Sequence, residues 1–501
     1  RIGLPNERTT AFHTDNISSG HGQNIQNFWI PLNNLNKFNT LWLLDKEKTI
    51  SINAELLVGE IKEEYEKAIL FYRKAIALEP KNDKYYCNMA VAIAESENYE
   101  GAIPIYKKSL KINPQNYIAH NNLGVSFSSL GDYQRAIKQF NNVIYLKDDY
   151  AEPHYSLGKL YTENRKPDLA ILHFKKALKI DKEHYRSLLG LTYPVIFTNS
   201  FTEAWEKYEY RWMVKPTSNQ EWPIKSNKMW EGEEDTDLVL WREQGIGDDI
   251  LFLGLVMEAY KRTRFLTVYT DSRLISLCER GMPGVVFKPY KNKIDDEDFD
   301  YHLPMGSLPR LFRSDIKDFE NTVTGYLKAD KERVESLREE LGLGDKKVVG
   351  ISWKSFQGSN MKNKNVEIEL LGPIFKDLDI VLLNLQYGDV DNEIKEFTKS
   401  TGIEVLQCGS VDNREDLDGL AALIELCDLV VSTSNVTVHL AGALGKETWV
   451  LLPYVANFWW LLDRTDSIWY PTLRLYRQKK FQDWSTIPQD VKRDLERKFF
   501  S

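Results

Sequence analysis

Three stretches of this chain combine residue types and spacing that could do chemistry. In DLVLWREQGIGDDILF an apolar, β-branched run gives way to Gly245 and Gly247 and then to Asp248 and Asp249. The glycines free the backbone for a tight turn, and a carboxylate just past the end of a strand is placed to act as a general base. Asp248 would equally serve as a helix N-cap, and spacing alone favours that use. The second stretch is DLVVSTSNVTVHLAGALGKETWVLLP, from Asp428 to Pro453. Asn435, Thr437 and His439 open a helix there, where free backbone N–H groups and the positive dipole end suit a phosphate. The third is the polar loop KSFQGSNMKNKN, whose Lys354, Lys362 and Lys364 could meet an anion or simply be solvated.

These residues need elements that bring them together. DLVVS and ETWVLLP read as buried strands, and the turn and helix between them make a βαβ unit, so the sheet is expected to be parallel. Ligands of such sheets lie outside the carboxyl ends of the strands, which is where Ser432 to His439 fall. Ala441, Gly442 and Ala443 are small and let this helix lie close to the sheet or to a ligand. DLVLW, FLTVYT and VVFKPY are strands of a first α/β half, with DYHLPMGSLPRLF, carrying His302 and Ser307, as a loop on its site side. KADKERVESLREELGLG reads as a charged amphipathic joint. VVGISW, DIVLLNLQYG and IEVLQCG continue a second half.

The region before residue 215 is different. Ala68, Ala102, Ala136, Ala170 and Ala204 recur every 34 residues, and Ala90, Gly124 and Gly158 repeat at the same spacing on a partner helix. A 34-residue period with small residues where two helices touch resembles the tetratricopeptide repeat. Such pairs cannot bury their apolar faces alone and stack into a superhelix with a concave groove. The groove is expected to bind a peptide or protein, the plainer reading being a spacer or dimerising arm. Residues 215–235 read as a linker.

Residues 1–55 follow neither pattern. They read as short strands and turns, and His13-x-Asp15 before FWIPL resembles the start of the facial triad in phytanoyl-CoA-type iron dioxygenases. The second histidine should stand on a later strand, with an arginine for the oxoglutarate, but the chain turns helical after about residue 55, so the segment is expected to be a truncated remnant without an iron site. The chain starts at Arg1 rather than Met, as a fragment or processed product would.

Composition narrows the rest. The net charge of -8 offers no basic stripe for nucleic acid, and no run is apolar enough to span a membrane. The four cysteines stand apart in apolar contexts, which suits free thiols in a reducing, cytoplasmic setting. The aromatic side chains, 13 Trp and 25 Tyr among them, suit a protein with grooves or sugar-like ligands.

Taken together, EQGIGDDILF, HLPMGSLP, NLQYGD, the Asp428–Lys446 stretch and DSIWYPTLRLYRQ resemble proteins that join tetratricopeptide repeats to a heptosyltransferase-like domain of glycosyltransferase family nine. The resemblance spans roughly residues 60 to 495. It implies a repeat solenoid (58–214) followed by a two-lobed, twin Rossmann-like GT-B domain, with an acceptor lobe at 236–330 and a donor lobe at 331–501. It implies a metal-independent transferase without cofactor, using a nucleotide-sugar as co-substrate and a protein or glycan as acceptor. Asp248 matches the base, with Gly245 and Gly247 its turn. Lys364, Asn435, Thr437, His439 and Gly442 match the donor-phosphate site, and Gln386 and Tyr387 the nucleoside contacts. Ser434 stands where heptosyltransferases carry Asp, and Asn457-Phe458-Trp459-Trp460 lacks the arginine of related repeat proteins. The rival expectation is a non-catalytic scaffold with a degenerate transferase domain.

Overall fold

The computed structural model describes residues 42–45, 48–51, 58–214, 222–226, 228–294, 298–320, 322–356 and 364–500. His13, Asp15 and Lys362 lie outside them. Strands β1 (Trp42–Asp45) and β2 (Lys48–Ser51) form an antiparallel hairpin.

The described chain divides into two compact units. The first is helical. Its helices Asp83–Glu95, Tyr99–Ile112, Tyr117–Ser129 and Tyr133–Leu146 each begin on an Asn or Asp whose side chain accepts a backbone N–H of the first turn. The 34-residue register is a packing register. Ala102, Ala136 and Ala170 are fully buried. Gly124 and Gly158 face Phe140 and Phe174, where an added Cβ would come within 2.7 Å of each ring. A side chain at either glycine would push the paired helices apart, which is why the repeat keeps a small residue there.

The last register does not stay with this unit. Residues 161–171 and 190–209 group with the α/β unit instead, although Ala204 keeps the repeat spacing. Aromatic packing explains it. Trp205 of helix Phe201–Tyr208 stacks on Trp459 at 6.3 Å and meets Trp469 edge-on, and Tyr193 meets Phe458 at 4.8 Å.

The α/β unit holds two sheets in which every pairing is parallel. The first has the order β5–β4–β3–β6, from β3 (Thr236–Trp241), β4 (Thr263–Thr270), β5 (Val286–Pro289) and β6 (Tyr301–Pro304). The second has the order β12–β11–β10–β7–β8–β9. It is built from β7 (Val348–Ser352), β8 (Val381–Asn384), β9 (Val405–Leu406), β10 (Leu429–Thr433), β11 (Thr448–Leu452) and β12 (Leu473–Arg477). β7, β10 and β11 are buried along their whole length, as strands covered by helices on both faces must be. β12 and the closing helix Ile487–Phe500, whose Val491 and Leu495 are fully buried, complete this core beyond the strands expected from the sequence.

One expectation is overturned. Tyr301–Pro304 is strand β6, not a loop on the site side. His302 is fully buried, takes a hydrogen bond from Trp241 Nε1 and lies 2.9 Å from the Ser226 carbonyl. Ser307, also buried, donates to Glu209. Both polar groups are satisfied inside the fold, and the Pro-rich spacing that reads as a loop is a strand edge followed by a short helix.

Strand order locates the crevices. The sequence runs outward from β3 through β4 and β5, while β6 adds on the other side of β3; likewise β7 to β9 run one way and β10 to β12 the other. Such reversal points leave a gap at the carboxyl ends of the strands. In the first sheet that gap follows β3, at Gly245–Asp248; in the second it lies after β7 and β10, at Lys354 and Ser434–His439.

Candidate active site

The helix Ile246–Leu253 follows β3, with Gly245 at its N-cap position and no side-chain cap. Asp248 is therefore not the cap. It stands in the first turn, accepting a hydrogen bond from the Gly245 backbone. Its partner Asp249 turns inward, buried, bound by Arg242 Nε at 2.8 Å. Arg242 also binds Asp271 at 2.8 Å. The two adjacent carboxylates thus have opposite uses: Asp249 anchors the turn, and Asp248 is left facing the cleft.

Burial, with the Glu243 carboxylate beside it, raises Asp248 to about 6; Lys364 and Arg242 pull the other way. Lys364 is held below its ordinary value by burial and pulled back up by Asp248. His439, on helix Val436–Leu444, is pushed down to about 4 by burial and then by Lys364. Each of the three groups senses another, so residues 248, 364 and 439 share one neighbourhood. Gly247 makes the approach possible: a Cβ there would lie 3.2 Å from His439 Cδ2. At neutral pH the cluster holds an ionised carboxylate, a cation and a neutral imidazole.

The remaining predicted residues play other parts. Asn435 gives both amide protons away, to Ser352 Oγ at 2.7 Å and the Lys354 carbonyl at 3.1 Å. Thr437 is fully buried and bonds Ser352 and the Leu385 carbonyl. Their donors stitch β10 to β7, so this turn presents backbone N–H groups rather than side chains. Gln386 is 1% exposed, and its amide oxygen accepts from Ser352 Oγ and from the backbone of Trp353 and Lys354. That bonding shapes the loop after β7. Tyr387 sits at the rim, 5.6 Å from the Phe356 ring. Lys354 is paired with Glu393. Gly442 touches Tyr470, whose ring would be 2.6 Å from a Cβ at that position.

Several further residues at the cleft were given no role by the sequence, although Trp460 and Arg477 lie in stretches noted there. Tyr193 comes from the last repeat register, and its phenol is raised to about 12 by burial and by Asp248. Trp460 stacks on His439 with ring centres 5.5 Å apart and donates to Ser434 Oγ at 2.9 Å. Leu461 follows with φ 46°, a conformation that favours glycine. Arg477 holds it by donating to the Trp460 and Leu461 carbonyls at 3.0 and 2.9 Å. Positive φ at a leucine has no local sequence mark, because the surrounding fold imposes it.

Profiles of the tetratricopeptide repeat family match residues 58–82, 83–116 and 151–184, and a second such profile matches 105–138. These residues are tetratricopeptide repeats. They form a protein–protein interaction module, and the helix pairs and buried alanines described above are its framework. Over 306 residues the chain is 30% identical to Protein FlbA of Caulobacter vibrioides, covering 56% of this chain and 50% of that protein. The chain thus spans about half the length of this curated relative. Among solved structures, a MamA fragment from Desulfovibrio magneticus RS-1 is 18% identical, with a TM-score of 0.26 over 32% of this chain and 93% of its own. YrrB, described as a TPR protein with an unusual peptide-binding site, is 18% identical, with a TM-score of 0.25 over 29% of this chain and 75% of its own. Among the described residues no helix is long and apolar enough to cross a membrane, and no group of three or more His, Cys, Asp or Glu side chains could hold a metal ion.

Proposed function

We propose that this chain is a glycosyltransferase with a GT-B arrangement of its two parallel sheets, moving a sugar from a nucleotide-sugar to an acceptor chosen by the tetratricopeptide repeats. One observation carries the reading: three distant segments bring Asp248, Lys364 and His439 together at the reversal points of two consecutive parallel sheets. In the proposed step, Asp248 takes the proton of the acceptor hydroxyl. The acceptor oxygen forms a bond to the sugar carbon as the bond to the nucleoside diphosphate breaks. Lys364 and the backbone N–H groups opening helix Val436–Leu444 stabilise the charge on the departing diphosphate. Asp248 suits the base role because it is ionised above about pH 6 yet remains a stronger base than an exposed carboxylate. We place the reaction in the cytoplasm, where the free cysteines Cys87, Cys278 and Cys427 would stay reduced.

A calorimetric panel of nucleoside diphosphates and nucleotide-sugars tests this. The expected result is binding of one nucleoside diphosphate that is weakened at least about tenfold in Lys364→Ala. Asp248→Asn should bind it as the native chain does but transfer about 10²- to 10⁴-fold more slowly. If no member of the panel binds, the chain is instead a scaffold built on a disused transferase domain, with the repeats as its working part.

A further inference from the structure

The turn that carries Asp248 has little to hold it in place from within. Gly245 opens the helix Ile246–Leu253 with no side-chain cap, and Gly247 follows two residues later. Glycine leaves the backbone its widest freedom, and a first turn without a cap lacks a common stabilising bond. The position of the turn therefore depends on ties from outside. Arg242 supplies the inner one, with Nη2 donating to the Gln244 carbonyl at 2.9 Å and Nε binding Asp249. The outer one comes from a different part of the chain: Gln244 Nε2 donates to the Tyr208 hydroxyl at 2.6 Å.

Tyr208 ends helix Phe201–Tyr208, which keeps the spacing of the repeats through Ala204 but belongs to the α/β unit. The helix is fastened to both halves of that unit. On the side of the first sheet, Trp205 Nε1 donates to the Arg313 carbonyl at 2.6 Å and Thr202 Oγ1 to the Ser314 carbonyl at 3.1 Å. On the side of the second, the Tyr208 ring meets Phe458 and Trp459 edge-on at 5.7 and 6.1 Å. Phe252, one turn beyond Asp248, also meets Trp459 edge-on at 5.5 Å, and the next residue, Trp460, stacks on His439. A phenylalanine at 208 could fill the same space against these rings; the hydroxyl adds the tie to Gln244. Tyr208 thus touches both the turn bearing the proposed base and the segment that covers His439.

We infer that Tyr208 and Gln244 are positioning residues for the transfer step: their hydrogen bond fixes the Gly245–Asp248 turn, and with it the Asp248 carboxylate, relative to Trp459 and Trp460. The last repeat register thereby serves the reaction as a wall of the cleft. This rests on the cleft being the transferase site proposed above. A general base is sensitive to placement, since its carboxylate must stand within hydrogen-bond reach of the acceptor hydroxyl. The donor's diphosphate is left to Lys364 and the turn opening helix Val436–Leu444, so a loosened base turn should slow the chemistry without weakening the nucleotide.

Hydrogen–deuterium exchange of the full chain, without any ligand, reads the tie directly. The Asp248 and Asp249 amides both bond to the Gly245 carbonyl at 3.0 Å. In Tyr208→Phe they should exchange about tenfold faster, the scale of one lost hydrogen bond, while β3 and β10 keep native rates. Gln244→Leu should give the same change from the other end, and the double variant should lose no more than the worse single one. In transfer assays Tyr208→Phe should lower kcat about tenfold and leave the donor KM and nucleoside diphosphate affinity as in the native chain. Native exchange of the turn in either single variant, or losses that add in the double, overturns the tie. Faster exchange with native kcat, or a fall in nucleoside diphosphate affinity as large as that in kcat, overturns the positioning role. A native chain that binds no nucleotide of the panel removes the catalytic reading of the cleft, whereas the exchange rates still decide whether Tyr208 holds the turn.

Discussion

Replacing the proposed base should stabilise the protein at neutral pH. Burial and the Glu243 carboxylate raise Asp248 from 3.8 to about 6. A raised folded-state value means that the native chain holds this proton more tightly than the unfolded chain does. The resulting stabilisation is complete below about pH 3.8 and is lost as pH rises through about 6, above which the fold bears an ionised carboxylate in an unfavourable place. The rise from 3.8 to about 6 corresponds to about 3 kcal/mol. Asp248 is partly exposed, and an amide in its place leaves Lys364 without its counter-charge. Both reduce the gain from Asp248→Asn to about 1–2 kcal/mol at pH 8. Urea denaturation at pH 4.5, 6 and 8, followed by tryptophan fluorescence, reads the difference, because Trp459, Trp460 and Trp469 are buried in this unit. The variant should already be slightly the more stable at pH 4.5, and the gap should approach its full size by about pH 6. A gap that does not change with pH, or a variant less stable than native at pH 8, would refute the view that Asp248 is held in the cleft against its own solvation.

The repeats carry an acid-sensitive joint: His154 and His173 meet at 3.2 Å, and burial, then His154 and Lys176, push His173 down to about 4. Stability from this pair is present above about pH 6.5 and lost as pH falls toward about 4. His173→Gln, which copies the His120–Gln139 pair one repeat earlier, should recover about 1–2 kcal/mol of the loss between pH 7 and pH 5, read from urea midpoints by circular dichroism. Gly158→Ala places a methyl 2.7 Å from Phe174 and should cost about 1–3 kcal/mol. Phe174→Leu in the same chain should return part of it; a thermal melt unchanged by Gly158→Ala would show that the ring can swing aside. Asn88, Asn122 and Ser156 share one repeat register on the helix assigned to the groove. Asn88 is tied to Tyr72 and Asn122 accepts from Asn121, so Ser156→Glu is the cleaner change. It should raise the KM of a macromolecular acceptor severalfold and leave donor hydrolysis untouched; equal losses in both rates would make the repeats purely structural.

Local sequence determined a great deal here. The 34-residue spacing of Ala68 to Ala204 forces helix pairs, because only a small residue at each contact lets two helices close. Unbroken β-branched runs such as VVGIS and LVVST can be buried only as strands covered on both faces, which dictates parallel sheets. The glycine turn before Asp248 and the small-residue helix after Ser434 mark strand ends, and strand ends of parallel sheets are where crevices form. What the sequence left open was every question of partnership across distance. Asp248 and Asp249 are adjacent and identical, and only the placement of Arg242 makes one an anchor and leaves the other in the cleft. Asn435 and Thr437 look like ligand contacts but bond Ser352 of β7, and Gln386, just after β8, bonds the backbone that follows β7, because a buried amide or hydroxyl must bond whatever the fold brings near it. Helix Phe201–Tyr208 keeps the repeat register yet joins the α/β unit, since Trp205 finds Trp459 and Trp469 there. The surroundings of His439 were decided furthest from its own position: Trp460 stacks on its ring, the Tyr470 hydroxyl lies 3.1 Å from Nδ1, and Gly247 faces its other edge. A side chain's neighbours are set by how distant strands and helices pack, which no local stretch of sequence contains.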